Sequence, residues 1–276
     1  MLKFTKMQGL GNDYIYINCL DHEIDNPHDL AIKLSDRHFS IGADGIVLIK
    51  KSNVADFRMQ MFNADGSEAE MCGNATRCIA RYVFEKGLTK KTTITLETLA
   101  GIMHLTLNFS GNTIESVTVD MGEPILKSSL IPVNSTLENF INQKITLDDE
   151  LFNITCVSMG NPHTVVYVND VNTFPVSLVG SKIEHHPLFP KRTNVEFVQV
   201  VDKSTLKMRV WERGSGETLA CGTGACASLV ASVLNNVSDN IATLKLLGGN
   251  LTIQWDQSSN HVYMTGPCEF VFEGEI

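Results

Sequence analysis

The chain lacks any apolar run approaching the length of a membrane-spanning helix, which excludes that class of protein. It lacks a basic excess: 22 Lys and Arg stand against 31 Asp and Glu, for a net charge of −9. With a pI near 5.3, non-specific binding to nucleic acid or an anionic membrane is not expected. No low-complexity segment or charge block interrupts the 276 residues. The first residues, Met1–Met7, alternate like a strand and lack the apolar core of a signal peptide, so a cytoplasmic protein is expected. Cysteine is not paired by count or by spacing. The seven cysteines, at positions 19, 72, 78, 156, 221, 226 and 268, are an odd number without a Cys-x-x-Cys pair. That suits free thiols in a reducing compartment better than a disulfide framework, and no metal is expected.

Two short stretches stand out. Met71-Cys72-Gly73-Asn74-Ala75-Thr76-Arg77-Cys78 and Ala220-Cys221-Gly222-Thr223-Gly224-Ala225-Cys226-Ala227 have the same plan. In each, a Cys-Gly pair opens a run that reads as a helix. After Cys72 the apolar residues Ala75, Cys78, Ile79, Tyr82 and Val83 fall at helical spacing, and Gly87 closes the run. After Cys221 the run to Leu234 is almost wholly small or apolar, as a helix buried all round requires. A cysteine at a helix N-terminus faces free backbone N–H groups and the positive end of the dipole. That setting favours thiolate, and the same N–H groups can hold a carboxylate.

The repetition extends beyond the cysteines. Cys221 lies 149 residues after Cys72, Glu217 149 after Glu68, and Trp211 149 after Phe62. Gly11-Asn12 and Gly160-Asn161 keep the same shift, and the glycines near 101 and 249 keep it within one residue. The period is too long for a solenoid. It reads as two homologous domains, residues 1–120 joined by a C-terminal strand 263–276, and residues 121–262.

The elements repeat as well. Strands are expected over residues 1–20 on either side of a Gly-rich turn, then at 46–50, 57–62, 92–98, 102–109 and 113–120, with a helix His28–Arg37. The second copy offers strands at 153–158, 164–168, 195–201, 205–211, 241–247 and 250–255, a helical stretch near 175–182, and one last strand at 261–272. Each half is therefore strand-rich with one buried helix. This is an α+β architecture of two domains related by a pseudo-twofold axis, each a curled, mostly antiparallel sheet around its helix, with the site in the cleft between them. Two thiols facing one bound carbon suit removal of a proton from one face and delivery to the other. That chemistry is racemisation or epimerisation of an amino acid.

Longer motifs carry a resemblance. Phe4-Thr5-Lys6-Met7-Gln8-Gly9-Leu10-Gly11-Asn12-Asp13-Tyr14, Phe62-Asn63-Ala64-Asp65-Gly66-Ser67-Glu68, Met159-Gly160-Asn161-Pro162-His163 and the stretch from Glu212-Arg213-Gly214 to Ala227 resemble diaminopimelate epimerase over essentially the whole chain. The resemblance implies interconversion of LL- and meso-2,6-diaminopimelate without pyridoxal phosphate or metal, in lysine and peptidoglycan precursor synthesis, by a homodimer. It implies Cys72 and Cys221 as the acid/base pair. It also implies that the amides of Gly73, Asn74, Gly222 and Thr223 hold the reacting carboxylate. Asn12, Asn63, Asn161, Asn194 and Arg213 would bind substrate, with Arg213, Asn63 and Asn194 at the distal carboxylate. Glu212 would take the distal ammonium or assist a thiol, and His163 would assist proton movement.

Two positions depart from the family's pattern: Ala75 stands where Gly is usual, and Gly45 where some members carry Gln. Other readings stay open. Another two-thiol racemase, of proline or hydroxyproline, is the nearest enzyme alternative, although Glu212 and Arg213 fit a substrate charged at its far end. A redox pair of Cys72 and Cys221 is the alternative of a different class. Cys19, Cys78, Cys156, Cys226 and Cys268 read as core residues. His38, His185 and His186 read as surface residues, as do Lys90-Lys91 and Asp148-Asp149-Glu150.

Overall fold

Alternating side chains and glycine turns set the framework. A computed structural model describes the whole chain, Met1–Ile276. It forms two compact units, Met1–Asp120 with Thr265–Ile276, and Met121–Met264.

The first unit contains β1 (Lys3–Gly9), β2 (Asn12–Asn18), α1 (Pro27–Ser35), β3 (Gly45–Lys50), β4 (Phe57–Asn63), β5 (Glu68–Ala69), α2 (Gly73–Glu85), β6 (Thr93–Thr98), β7 (Gly101–Ser110) and β8 (Thr113–Asp120). The second contains β9 (Gln143–Leu147), β10 (Glu150–Ser158), β11 (Pro162–Tyr167), α3 (Val176–Glu184), β12 (Asn194–Asp202), β13 (Thr205–Glu212), β14 (Gly216–Thr218), α4 (Gly222–Leu234), β15 (Ile241–Leu246) and β16 (Gly249–Trp255). Strand β17 (Val262–Gly266) carries the chain back, and β18 (Glu269–Glu275) pairs with β1.

The duplication is written into the hydrogen-bond register. Ile15 on β2 faces Ile46 on β3, and Thr164 on β11 faces Val195 on β12, both partners being 149 residues on. Ile46 faces Phe62, and Val195 faces Trp211, again shifted by 149. Phe62 faces Glu68, and Trp211 faces Glu217. After the helices the shift is 148: Leu96 faces Met103, and Leu244 faces Leu251. Both α1 with α3 and α2 with α4 have bounds that differ by 149. In each unit two strand pairs are parallel, β2–β3 and β4–β6 or β11–β12 and β13–β15. The remaining pairings described by register are antiparallel.

The cores follow from the sequence pattern. Helix α1 lays Ala31 and Leu34 on Ile15, Ile17, Ile46 and Leu48. Its counterpart α3 lays Val176, Val179 and Ile183 with Ile154, Val166, Val195 and Phe197. Helix α2 packs on β1, β2, β7 and β8 of its own unit, and α4 on β10, β11, β12, β15 and β16 of its own. Leu229 and Val230 of α4 are fully buried, each worth about 2 kcal/mol of transfer from water. Cys19 and Cys156 belong to these clusters, and burial pushes their thiols up to about 11 and about 12 respectively. Such thiols are inert at neutral pH.

Besides the short strands β5 and β14, which the sequence reading does not include, three local features differ from it. The segment before residue 153 holds an extra strand: β9 pairs with an earlier-starting β10 in a hairpin turned at Asp148, whose φ is 53°. The single terminal strand is two strands, broken at Pro267-Cys268, where proline lacks the N–H that would continue the ladder. Helix α1 stops at Ser35 rather than Arg37, because Asp36 turns extended (ψ 117°) and its side chain accepts from the N–H groups of His38 and Phe39. Arg37 is thereby freed to pair with Asp13 and Asp44.

Candidate active site

Each candidate thiol sits at the N-cap of the helix its sequence opens. Cys72 caps α2 with φ −138° and ψ 117°, and Cys221 caps α4 with φ −125° and ψ 113°. The two backbones superpose in kind because the duplicated turns deliver each helix from a matched hairpin, β4–β5 or β13–β14. The first-turn amides of Gly73-Asn74 and Gly222-Thr223 are helix N-terminal donors, the arrangement that binds a carboxylate.

In the first unit the structure brings together Asn12, Cys72, Gly73 and Asn74. The Cys72 thiol donates to Asn12 Oδ1 at 3.2 Å, while Asn12 Nδ2 donates to Asp44 at 2.7 Å. Asp44 and Arg77 are members of this half that the sequence reading did not single out. Arg77 is 0% exposed. Its guanidinium donates to the Gly73 carbonyl at 3.3 Å, to Asn74 Oδ1 at 2.8 Å and to the Pro267 carbonyl at 3.2 Å. It also lies within electrostatic reach of the Cys72 sulfur. Desolvation lowers its basicity, the cost of burying a cation. Asn63 stands apart, at the end of β4, with its Nδ2 donating to Ser67 at 3.0 Å. Gly45 is its register partner, and a Cβ there would meet the Phe62 carbonyl at 2.0 Å. No side chain fits at 45 without moving β4, which accounts for glycine there.

In the second unit the structure brings together Asn161, His163, Asn194, Glu212, Arg213, Cys221, Gly222 and Thr223. Cys221 Sγ accepts from the Gly224 N–H at 3.4 Å and lies 3.5 Å from Thr223 Oγ1. Asn161 Nδ2 donates to that hydroxyl at 3.3 Å. Asn194 is buried and spends its amide on the backbone: Nδ2 donates to the Pro162 carbonyl at 3.0 Å, and Oδ1 accepts from the Arg213 N–H at 2.9 Å. It therefore anchors the Arg213 loop. Arg213 itself is exposed and donates to the Lys191 carbonyl at 2.9 Å. Glu212 accepts from the Thr218 hydroxyl. Burial raises its pKa, partly offset by hydrogen bonds from Thr218 and Cys221.

The helix N-terminus favours thiolate at either cysteine, and at Cys221 burial, then the charges of Glu212 and Glu196, push the thiol the other way, well above its ordinary value. Hydrogen bonds from Thr223 and Gly224 oppose them and are outweighed by desolvation plus two nearby acids. Glu196 was not singled out from sequence. It is 0% exposed and lies 2.7 Å from His163 Nδ1, itself 0% exposed. The available signal was a lone acid inside the apolar strand Val195-Glu196-Phe197-Val198. Arg77 gave a weaker signal, one of two cations, with Arg81, among the apolar positions of α2.

The duplicated sheet-and-helix fold is one that solved structures share. The chain has a TM-score of 0.73 at 19% identity to a phenazine biosynthesis protein of the PhzF family from Bacillus anthracis, covering 100% of this chain and 98% of that one. A hydroxyproline epimerase from Agrobacterium vitis, crystallised with trans-4-hydroxy-L-proline, gives 0.67 at 15% identity over 100% and 90% of the two chains. These show the fold. The family model for diaminopimelate epimerase matches residues 4–127 and 155–271. A diaminopimelate epimerase of Acetivibrio thermocellus is 62% identical over 275 residues, covering 100% of this chain and 98% of the relative. One of Methanococcus maripaludis is 58% identical, covering 100% and 99%. The chain belongs to the diaminopimelate epimerase family, and it is an isomerase.

Proposed function

We propose that this chain epimerises LL-2,6-diaminopimelate to the meso isomer with Cys72 and Cys221 as the two proton-transfer groups. The observation that carries this reading is the matched pair of thiols, each at the N-cap of a duplicated helix. One thiolate removes the α-proton and the other thiol protonates the opposite face, so one sulfur must be ionised while its partner is not. The amides of Gly73, Asn74, Gly222 and Thr223 hold the α-carboxylate and stabilise the charge that develops on it. This electrostatic support lets the reaction proceed without pyridoxal phosphate or a metal.

The remaining residues serve recognition. Asn12 and Asn161 flank the reacting centre. Arg213, held in place by Asn194, pairs with the distal carboxylate, and Asn63 contributes an amide there. Glu212 receives an ammonium or takes part in the protonation of Cys221. His163 supports proton movement from its buried position. Family membership supports a role in lysine and peptidoglycan precursor synthesis in the cytoplasm, as a homodimer.

Isotope exchange tests the mechanism. In D₂O, with unlabelled LL substrate, early product should carry deuterium at the inverted carbon while remaining substrate stays almost unlabelled. The incoming proton comes from a sulfur that has exchanged with solvent, and return from the first sulfur is internal. Early product that keeps its original hydrogen there would indicate one base reaching both faces and sink the two-thiol assignment.

A further inference from the structure

Glu196 does no work in the mechanism above, yet it is a carboxylate 0% exposed on β12 between two fully buried apolar neighbours, Val195 and Phe197. Acids are almost never fully buried unless paired. Its partner is His163: Oε1 lies 2.7 Å from Nδ1. Its second oxygen, Oε2, accepts no hydrogen bond from the protein. The other face of the ring continues the chain, with Nε2 2.9 Å from Asn161 Oδ1. An amide oxygen only accepts, so Nε2 carries a proton. A second proton then lies in the contact between Nδ1 and Oε1, whichever atom holds it, and the buried pair is neutral. With Oδ1 committed to His163, the Asn161 amide nitrogen faces Thr223 Oγ1 at 3.3 Å, and that hydroxyl lies 3.5 Å from Cys221 Sγ.

We infer that Glu196 is a positioning residue of the Cys221 half-site: by holding the His163 ring it fixes the orientation of the Asn161 amide against the first turn of α4. The inference rests on the epimerase reading above. Two further observations agree with it. Gly224, in that first turn, has no room for a side chain because of Glu196: a Cβ would lie 2.6 Å from Oε1 and 3.2 Å from Cγ and Cδ. Helix α4 thus accepts a helix-weakening glycine at the point where the carboxylate passes. In the first unit the positions 149 residues earlier are Val47 for Glu196, Tyr14 for His163 and Ala75 for Gly224. That unit has no buried acid to accommodate, and its helix carries Ala where the second carries Gly.

The test uses the full chain assayed on LL-diaminopimelate. In Glu196→Gln the amide N–H donates to Nδ1 and keeps the proton on Nε2, so kcat/KM should stay within about threefold of wild type. Glu196→Met has similar length and no hydrogen bond, and should lose at least about tenfold. In an Asn161→Ala background the same Met substitution should cost less than about twofold, because residues acting through one another are not additive. A purely packing role predicts that the two losses multiply. If Glu196→Met does not fold, Gly224→Ala, whose methyl displaces Oε1, serves as the second probe with the same two expectations. Glu196→Met within threefold of wild type, a loss that multiplies with Asn161→Ala, or Glu196→Gln falling as far as Met would each overturn the inference. Wild-type protein inactive on LL-diaminopimelate would instead sink the epimerase reading, so the two failures are distinguishable.

Discussion

Around Cys72 the fully buried charge is a cation, Arg77; around Cys221 the buried or half-buried charges are acids, Glu196 and Glu212. The backbones beneath them follow one register. Five residues after each cysteine, α2 carries Arg77 and α4 carries the fully buried Cys226. The positions matching Glu196 and Glu212 are Val47 and Asn63. Duplication thus preserved the hydrogen-bond ladder and the helix caps, which depend on backbone and apolar pattern, while side chains of opposite charge accumulated behind the two thiols. Such a difference biases the two thiols toward ionising at different pH, and the two-base reaction proposed above calls for one thiolate beside one thiol.

The largest effect expected is loss of the thiols themselves. Cys72→Ala and Cys221→Ala should each lower kcat by about 10³-fold or more, as each removes one proton-transfer partner. A coupled assay in each direction checks this. Near wild-type turnover in either variant would show that only one half is catalytic and would end the comparison.

Next is the cation. Arg77→Met leaves the Gly73 carbonyl, Asn74 Oδ1 and the Pro267 carbonyl without this donor. Losing several buried hydrogen bonds to a charged group should cost about 2–4 kcal/mol of stability, read by denaturant unfolding. Turnover of the folded fraction should fall as the first turn of α2 loosens. A variant as stable as wild type would mean that Arg77 does not brace that turn.

The contrast between the halves also marks what the sequence could reveal. Strands, helices and the 149-residue shift were legible because alternation, helical spacing and repeated Cys-Gly pairs are local patterns. Both helix caps fell where the motifs put them. The two-strand ending was missed because Pro267 interrupts an otherwise continuous alternation, and β9 because its five residues lie in a stretch read as connection. Arg77 and Glu196 were missed for a different reason. A charged residue on an apolar face is usually a solvated neighbour, and only tertiary packing shows that these two are buried. What opposes ionisation at Cys221 was hidden on the same account: the helix terminus is visible in sequence, whereas the acids beside it come from other strands.

A smaller effect sharpens the electrostatic side. The Glu212 charge helps hold the Cys221 thiol protonated, so Glu212→Gln should let it ionise at lower pH. In a Cys72→Ala background, the pH midpoint of iodoacetamide labelling at Cys221 should fall by roughly one unit, the scale of one nearby charge. The other five cysteines are more deeply buried, at 3% exposure or less against 7% for Cys221, and should label more slowly. A midpoint that rises or stays fixed would mean that desolvation alone governs Cys221.

The smallest effect concerns the residue where the two helices differ most simply. Ala75 stands in the first turn of α2, matched to Gly224, and is 0% exposed. It lies inside a regular helix and is absent from the residues with positive φ, so nothing in its backbone asks for glycine. Ala75→Gly removes one buried methyl, worth about 0.8 kcal/mol, and adds backbone freedom to the unfolded chain. The sum should be a stability loss of about 1–1.5 kcal/mol, with turnover within about twofold of wild type. Gly224→Ala should behave in the opposite way, losing activity because its Cβ meets Glu196 rather than open space. If Ala75→Gly instead raised turnover several-fold, the methyl would be obstructing the carboxylate-binding amides of α2. The difference between the two helices would then lie in the site itself rather than in what packs behind it.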